Sequence, residues 1–128
     1  MKDTNTKGSV TEARVLASLT AGGYTVSIPF GVAKYDLVVD MDGQLKKVQC
    51  KTGRLRKSGV QFNAYSVGRD GASVPYPDCD FFGVYCPDTD EVYIVPVDIV
   101  GHTKVTLRVD PIRSAREYKT NWARDFRL

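Results

Sequence analysis

The chain has 128 residues, 42% hydrophobic and 26% charged, with a net charge of +3. That is about one domain's worth of sequence, and no stretch approaches the roughly 20 apolar residues that span a bilayer. The polar start "MKDTNTKGS" is no signal peptide, and Cys50, Cys79 and Cys86 read as reduced thiols of a cytoplasmic protein, since lone His102 completes no zinc spacing.

Taken in chain order, "GSVTEARVLASLTAGG" predicts a helix. Ser9 and Glu12 match an S-x-x-E capping box, Val10, Ala13, Leu16, Ala17 and Thr20 mark one face, and Gly22-Gly23 stop it. "YTVSIPF" reads as a short strand closed by Pro29. "YDLVVDM" and "QLKKVQCK" follow as two strands joined by Asp42-Gly43, a strong hairpin signal. "RLRKSG" reads as a basic loop, "VQFNAYSV" as another strand and "GRDGASVPYPDCD" as a loop rich in Gly and Pro. "FFGVYC" and "EVYIVPV" make a second hairpin through Pro87-Asp88-Thr89-Asp90, and "VTLRV" is a last strand. The tail "SAREYKTNWARDFRL" is either helical or an irregular arm. No repeat or linker divides the chain. The expectation is therefore one α/β (α+β) domain over residues 1–128, a helix packed on a mixed sheet.

Charge is unevenly placed. Gly43 to Arg69 holds seven Lys/Arg and no acid, while Asp70 to Asp98 holds seven acids and no Lys or Arg. From Lys104 onward there are seven bases against three acids. Such blocks suggest a polarised surface with one side suited to phosphates, or else two solvated faces that merely differ in sign.

The first hairpin sets a register. With Asp42 and Gly43 at the centre of a type I′ turn, Met41 pairs with Gln44, Asp40 with Leu45, Val38 with Lys47 and Asp36 with Gln49. Opposed residues share a face with Cβ atoms about 4.5–5.5 Å apart. Alternation adds Lys51 to that face and sends Leu37, Val39, Val48 and Cys50 to the other. A carboxylate and an amide oxygen on adjacent strands can hold a hard cation such as Mg²⁺, which also takes phosphate oxygens. An amine beside them can orient a nucleophile or steady negative charge. Glu12 can supply a second carboxylate, or it can simply complete its helix cap. Asp36 with Lys51 can equally be a surface ion pair.

The D-x(12)-Q-x-K arrangement of Asp36, Gln49 and Lys51 after a Glu-bearing helix resembles the PD-(D/E)XK nuclease superfamily. More narrowly, the chain is similar to the cyanobacterial group I intron-encoded homing endonucleases, through "YDLVVD", "KKVQCKTGR" and "DFFGVYCPDTDEVYIVPVDIV". The resemblance implies a restriction-endonuclease-like core and Mg²⁺-dependent hydrolysis of double-stranded DNA, with Mn²⁺ as a possible substitute. It implies Asp36, Gln49 and Glu12 as metal ligands and Lys51 as the catalytic amine. Tyr35 stands where the superfamily has proline, and Gln49 where it usually has an acid; in the intron-encoded group Gln belongs to the pattern.

On that basis Lys34, Arg54, Arg56, Lys57 and Arg69 are candidates for phosphate contacts, with Lys119, Trp122 and Arg124 of the tail as a second DNA-binding set in which Trp122 reads as a packing residue rather than a base contact. Gln61 and Asn63, with Tyr65, alternate along a strand that could enter a groove, and their amides suit adenine edges. So small a chain making a double-strand cut is expected to form a homo-oligomer, a dimer or a tetramer, with the apolar second hairpin as the interface. Two other readings stay open: a Holliday-junction-resolving nuclease on the same core, and a DNA-binding module that no longer cleaves.

Overall fold

The structure, a computed structural model, describes residues 4–57, 59–67, 71, 73–74, 79–100, 103–109, 121 and 123–128. Arg69, His102, Lys119 and Trp122 fall outside these residues. The elements run in the order α1 (Thr4–Ala21), β1 (Thr25–Ser27), β2 (Leu37–Met41), β3 (Gln44–Thr52), β4 (Arg54–Arg56), β5 (Gly59–Asn63), β6 (Ser66–Val67), β7 (Ser73–Val74), β8 (Phe81–Cys86), β9 (Glu91–Pro96), β10 (Lys104–Arg108) and α2 (Ala123–Phe126).

Five strands form a mixed sheet in the order β1-β2-β3-β8-β9, in which only β3 and β8 run parallel. A second sheet has the order β10-β5-β4, and β6 pairs with β7. Each face of the five-stranded sheet has its own cover. On one face Val15 and Leu19 of α1 pack with Leu37, Val39, Val48, Tyr85 and Val92. On the other, Phe82, Val84, Cys86, Tyr93 and Val95 meet Val60, Phe62, Ala64, Val105 and Leu107 of the second sheet. Each fully buried aliphatic contributes on the order of 1.5–3 kcal/mol, so the α1 contact rests mainly on Val15 and Leu19. The second sheet covers mainly β8 and β9 and touches only the end of β3. Val38, Asp40, Lys47 and Gln49, on the same side of β2 and β3, stay half-buried, as does Asp36 just before β2.

The first helix differs from its expected form in two ways. It begins at Thr4, so Ser9 and Glu12 lie inside it and form no capping box. Its buried stripe is Thr11, Val15 and Leu19; of the predicted face, Val10 and Leu16 pack half-buried beside it, while Ala13, Ala17 and Thr20 are exposed. The alanines carry too little area to compete with Val15 and Leu19 for the core. Its end is as expected. Tyr24 N–H bonds the Leu19 carbonyl at 3.1 Å and Gly23 N–H that of Thr20 at 3.0 Å, a Schellman motif with Gly23 at φ +93°.

Four further expectations need correction. The strand expected over Tyr24–Phe30 is confined to Thr25–Ser27, and Ile28 and Phe30 are exposed beyond it. "RLRKSG" is no free loop, since its first three residues are β4, paired with β5. Within "GRDGASVPYPDCD", Ser73 and Val74 pair with Ser66 and Val67. The second hairpin forms as expected, but its side chains fill both core clusters, so its faces are not free to meet a second copy. Of the tail, the described part holds a four-residue helix at Ala123–Phe126.

Candidate active site

The site is built by a turn. Asp42 (φ 54°) and Gly43 (φ 85°) both take the left-handed conformation that a type I′ turn demands, and Gly43 N–H bonds the Asp40 carboxylate at 2.9 Å. Pairing then runs as counted: Met41 with Gln44, Asp40 with Leu45, Val38 with Lys47 and Leu37 with Val48. The expected Asp36–Gln49 pair does not continue the ladder: Asp36 N–H bonds the carbonyl of Val48, already the partner of Leu37, at 3.0 Å, and Asp36 meets Gln49 through side chains instead. The Gln49 amide Nε2 donates to Asp36 Oδ2 at 2.9 Å, and the Cys50 N–H donates to the same oxygen at 2.8 Å. Two donors on one oxygen fix the orientation of the carboxylate.

Glu12 comes to the same place from above. It lies about 60° round the helix from the middle of the buried stripe, half-buried at the helix flank. Burial pushes its carboxyl above its ordinary range, and the neighbouring Asp36, by charge and by hydrogen bond, pushes it further. Two acids held this close repel each other when both are charged. Among the described residues no three His, Cys, Asp or Glu side chains gather as a cation cage. The donors here are two carboxylates and an amide. As oxygen ligands they suit a hard divalent ion once the Gln49 amide turns over to present its oxygen, an exchange of nearly equal shapes.

Lys51 lies two residues beyond Gln49 on the same face of β3, and its ammonium donates to the Tyr65 carbonyl at 3.0 Å. Tyr65 follows β5, so the second sheet helps aim the amine. The thiols are not chemical participants. Burial above all, then the charges of Asp36, Glu12 and Cys79, keep the Cys50 thiol protonated, and burial raises Cys79 as well. All three cysteines are free.

The basic candidates divide. Arg54 opposes Gln61, and Arg56 opposes Gly59, on the outer face of the second sheet. With Asn63 they line a cleft of about 220 Å³ that also takes in Thr52 and Lys104. Lys104 was not foreseen: β10 brings it opposite Asn63, and Thr106 opposite Gln61, across some forty residues of chain. No local signal announces that pairing. Lys57 is exposed at the β4–β5 turn and Lys34 in the loop before Asp36, and neither lines the cleft. Lys47 does neighbour that loop, with its ammonium 5.4 Å above the Tyr35 ring. Arg124 is exposed on α2, near a separate cleft with Arg108 and Arg127.

A family model described as PD-(D/E)XK endonuclease matches residues 2–128. Among solved structures, the bacterial homing endonuclease I-Ssp6803I is similar at a TM-score of 0.75 and 25% identity, over 98% of this chain and 89% of that one. MepB aligns at a TM-score of 0.47 and 8% identity, over 91% and 95%. No curated protein matches.

Proposed function

The chain belongs to the PD-(D/E)XK endonuclease family, with that fold, and from this premise we propose that it is a metal-dependent, site-specific endonuclease of double-stranded DNA, of the homing type. One observation carries the reading: the hairpin clamps Asp36 by two hydrogen bonds to one oxygen, while α1 sets Glu12 against it. An ordinary surface ion pair does not gather two acids.

In this reading Asp36, Glu12 and Gln49 hold the cation, Mg²⁺ with Mn²⁺ as a substitute. When bound, the ion supplies Lewis-acid stabilisation of charge on the phosphate. Cys50 N–H holds the Asp36 carboxylate in place, so the cation would meet an oxygen whose position is already fixed. Lys51, tethered by Tyr65, orients the attacking water or balances the charge on the phosphate. Gln49 adds no charge, so the cation is held less tightly than by three acids.

Arg54, Arg56 and Lys104 position the duplex through phosphates, and Gln61 and Asn63 offer amides to base edges from the same cleft. Lys34 and Lys57 contribute from the flanks, and Arg69, outside the described residues, joins them by its place in the basic block. A double-strand cut needs two such sites. We infer a symmetric homo-oligomer, dimer or tetramer, that joins elsewhere than on the buried faces of β8 and β9. No helix among the described residues is long and apolar enough to cross a membrane.

The test is a randomised duplex library incubated with Mg²⁺ and sequenced at its new ends. One recurrent cut motif, absent with Asp36→Asn, is the expected result. Cutting restricted to four-way junctions would transfer the chain to the resolvases. Binding without any nick, in Mg²⁺ or Mn²⁺, would make it a non-cleaving module.

A further inference from the structure

Thr11 is the sole buried polar side chain among the described residues. Its hydroxyl lies 2.6 Å from that of Thr52, forty-one residues away, in a direct hydrogen bond between α1 and the end of β3. Each threonine is the chain neighbour of a residue in the proposed site: Thr11 precedes Glu12, and Thr52 follows Lys51.

The rest of the contact between α1 and the sheet is mainly apolar; Arg14 adds an ion pair to Asp90 at 3.5 Å and lies 5.3 Å over the Tyr85 ring, but that pair is exposed and holds the helix only weakly. Val15 and Leu19 hold the helix down, but dispersion and apolar burial have no preferred direction. A hydrogen bond has one, and a buried unpaired hydroxyl is costly. One residue of rotation turns a helix by 100°, enough to swing Glu12 away from Asp36. Thr52 is itself well held. The next residue, Gly53, donates to the Tyr85 carbonyl at 2.8 Å, and a Cβ on Gly53 would meet Val60 and Val84 at 2.7 and 3.0 Å. The anchor on the sheet side therefore does not drift.

We propose that the Thr11–Thr52 hydroxyl pair is a positioning clip, fixing the rotation of α1 so that the Glu12 carboxylate completes the cation site with Asp36. This rests on the nuclease reading above. The clip touches neither substrate nor cation. It acts through Glu12.

The test uses Thr11→Val, Thr52→Val, the double variant and Thr11→Ser, with Thr20→Val as control. Thr20 lies on the exposed side of the same helix, bonded only to its own turn at Leu16. Mn²⁺ binding to the DNA-free chain is read by the loss of free-ion paramagnetic signal, cleavage by single-turnover rate, and folding by melting temperature. Either valine should weaken Mn²⁺ binding and slow cleavage by about tenfold to a hundredfold, with duplex affinity unchanged. The double variant should be no worse than the worse single, because both remove one interaction. Thr11→Ser should restore both readouts, and Thr20→Val should change neither.

Valine variants that melt earlier yet bind Mn²⁺ and cut normally below their melting point would overturn the clip and leave the nuclease reading intact. Additive losses in the double variant would also overturn it. A native chain that neither binds Mn²⁺ nor cuts would remove the site reading, and the clip with it.

Discussion

The β2–β3 hairpin and the three-stranded sheet of β4, β5 and β10 hold the two halves of the proposed reaction, and they are specified in different ways. The hairpin closes over two residues, and its register propagates from one turn outward to Leu37 and Val48, next to which the Gln49 amide bonds the Asp36 carboxylate. The sheet depends on Lys104–Arg108 finding Gly59–Asn63 across a long stretch of chain. In the proposed reaction, chemistry that must be accurate to a fraction of an ångström would sit on the local structure, and phosphate contacts, which tolerate more play, on the distant one.

The strongest way to break this comparison is at Asp36. Asp36→Asn or Lys51→Ala should reduce cleavage by more than about a hundredfold while DNA affinity stays within about tenfold. Near-normal cutting by either would show that the hairpin does not carry the chemistry.

Next comes the sheet. A Cβ on Gly59 would fall 2.2 Å from the Leu107 carbonyl oxygen, backbone against backbone. Gly59→Ala should destabilise the chain by about 3 kcal/mol in a denaturant titration, and weaken DNA binding more than the rate of cutting once bound. Unchanged stability would mean that the β5–β10 pairing is looser than described.

A finer test asks whether the unforeseen cation matters. Lys104→Ala should weaken binding about equally across sequences and lower the slope of log affinity against log salt by about one. An unaltered slope would remove Lys104 from the DNA surface.

The smallest effect sharpens the hairpin side. The carboxyl of Glu12 titrates above its ordinary value of 4.5, so the folded chain binds that proton more tightly than the unfolded one. This contribution to stability is complete below about pH 4.5 and is lost as pH rises through the folded value. Metal-free Glu12→Gln should therefore melt a few degrees above the native chain at pH 7 but not at pH 4. An equal shift at both would point to packing rather than charge.

The same contrast explains what could be read in advance. The alternation of Leu37, Val39 and Val48 with Asp36, Val38 and Gln49, pinned by Asp42-Gly43, gave a register and with it the site. Arg54 and Arg56 were visible as charge but not as strand, because three residues beside a turn carry no period of their own. The helix was found, yet its inward face was misjudged: counting apolar positions gave Ala13 and Ala17 the weight that Val15 and Leu19 hold. Its cap was misplaced for a related reason. Ser9 fits a start signal, but the turn from Thr4 onward was stable enough to run ahead of it.

Gly83 deserves the last consideration. A Cβ there would lie 2.6 Å from a methyl of Val15, so the helix rests directly on bare backbone. The height of α1 above the sheet is thus set by a missing carbon, and Val15 stands three residues along from Glu12. Any side chain introduced at Gly83 would act as a shim, lifting one acid off the other without touching either. How far apart the two carboxylates stand is therefore controlled from a position that has no functional group at all.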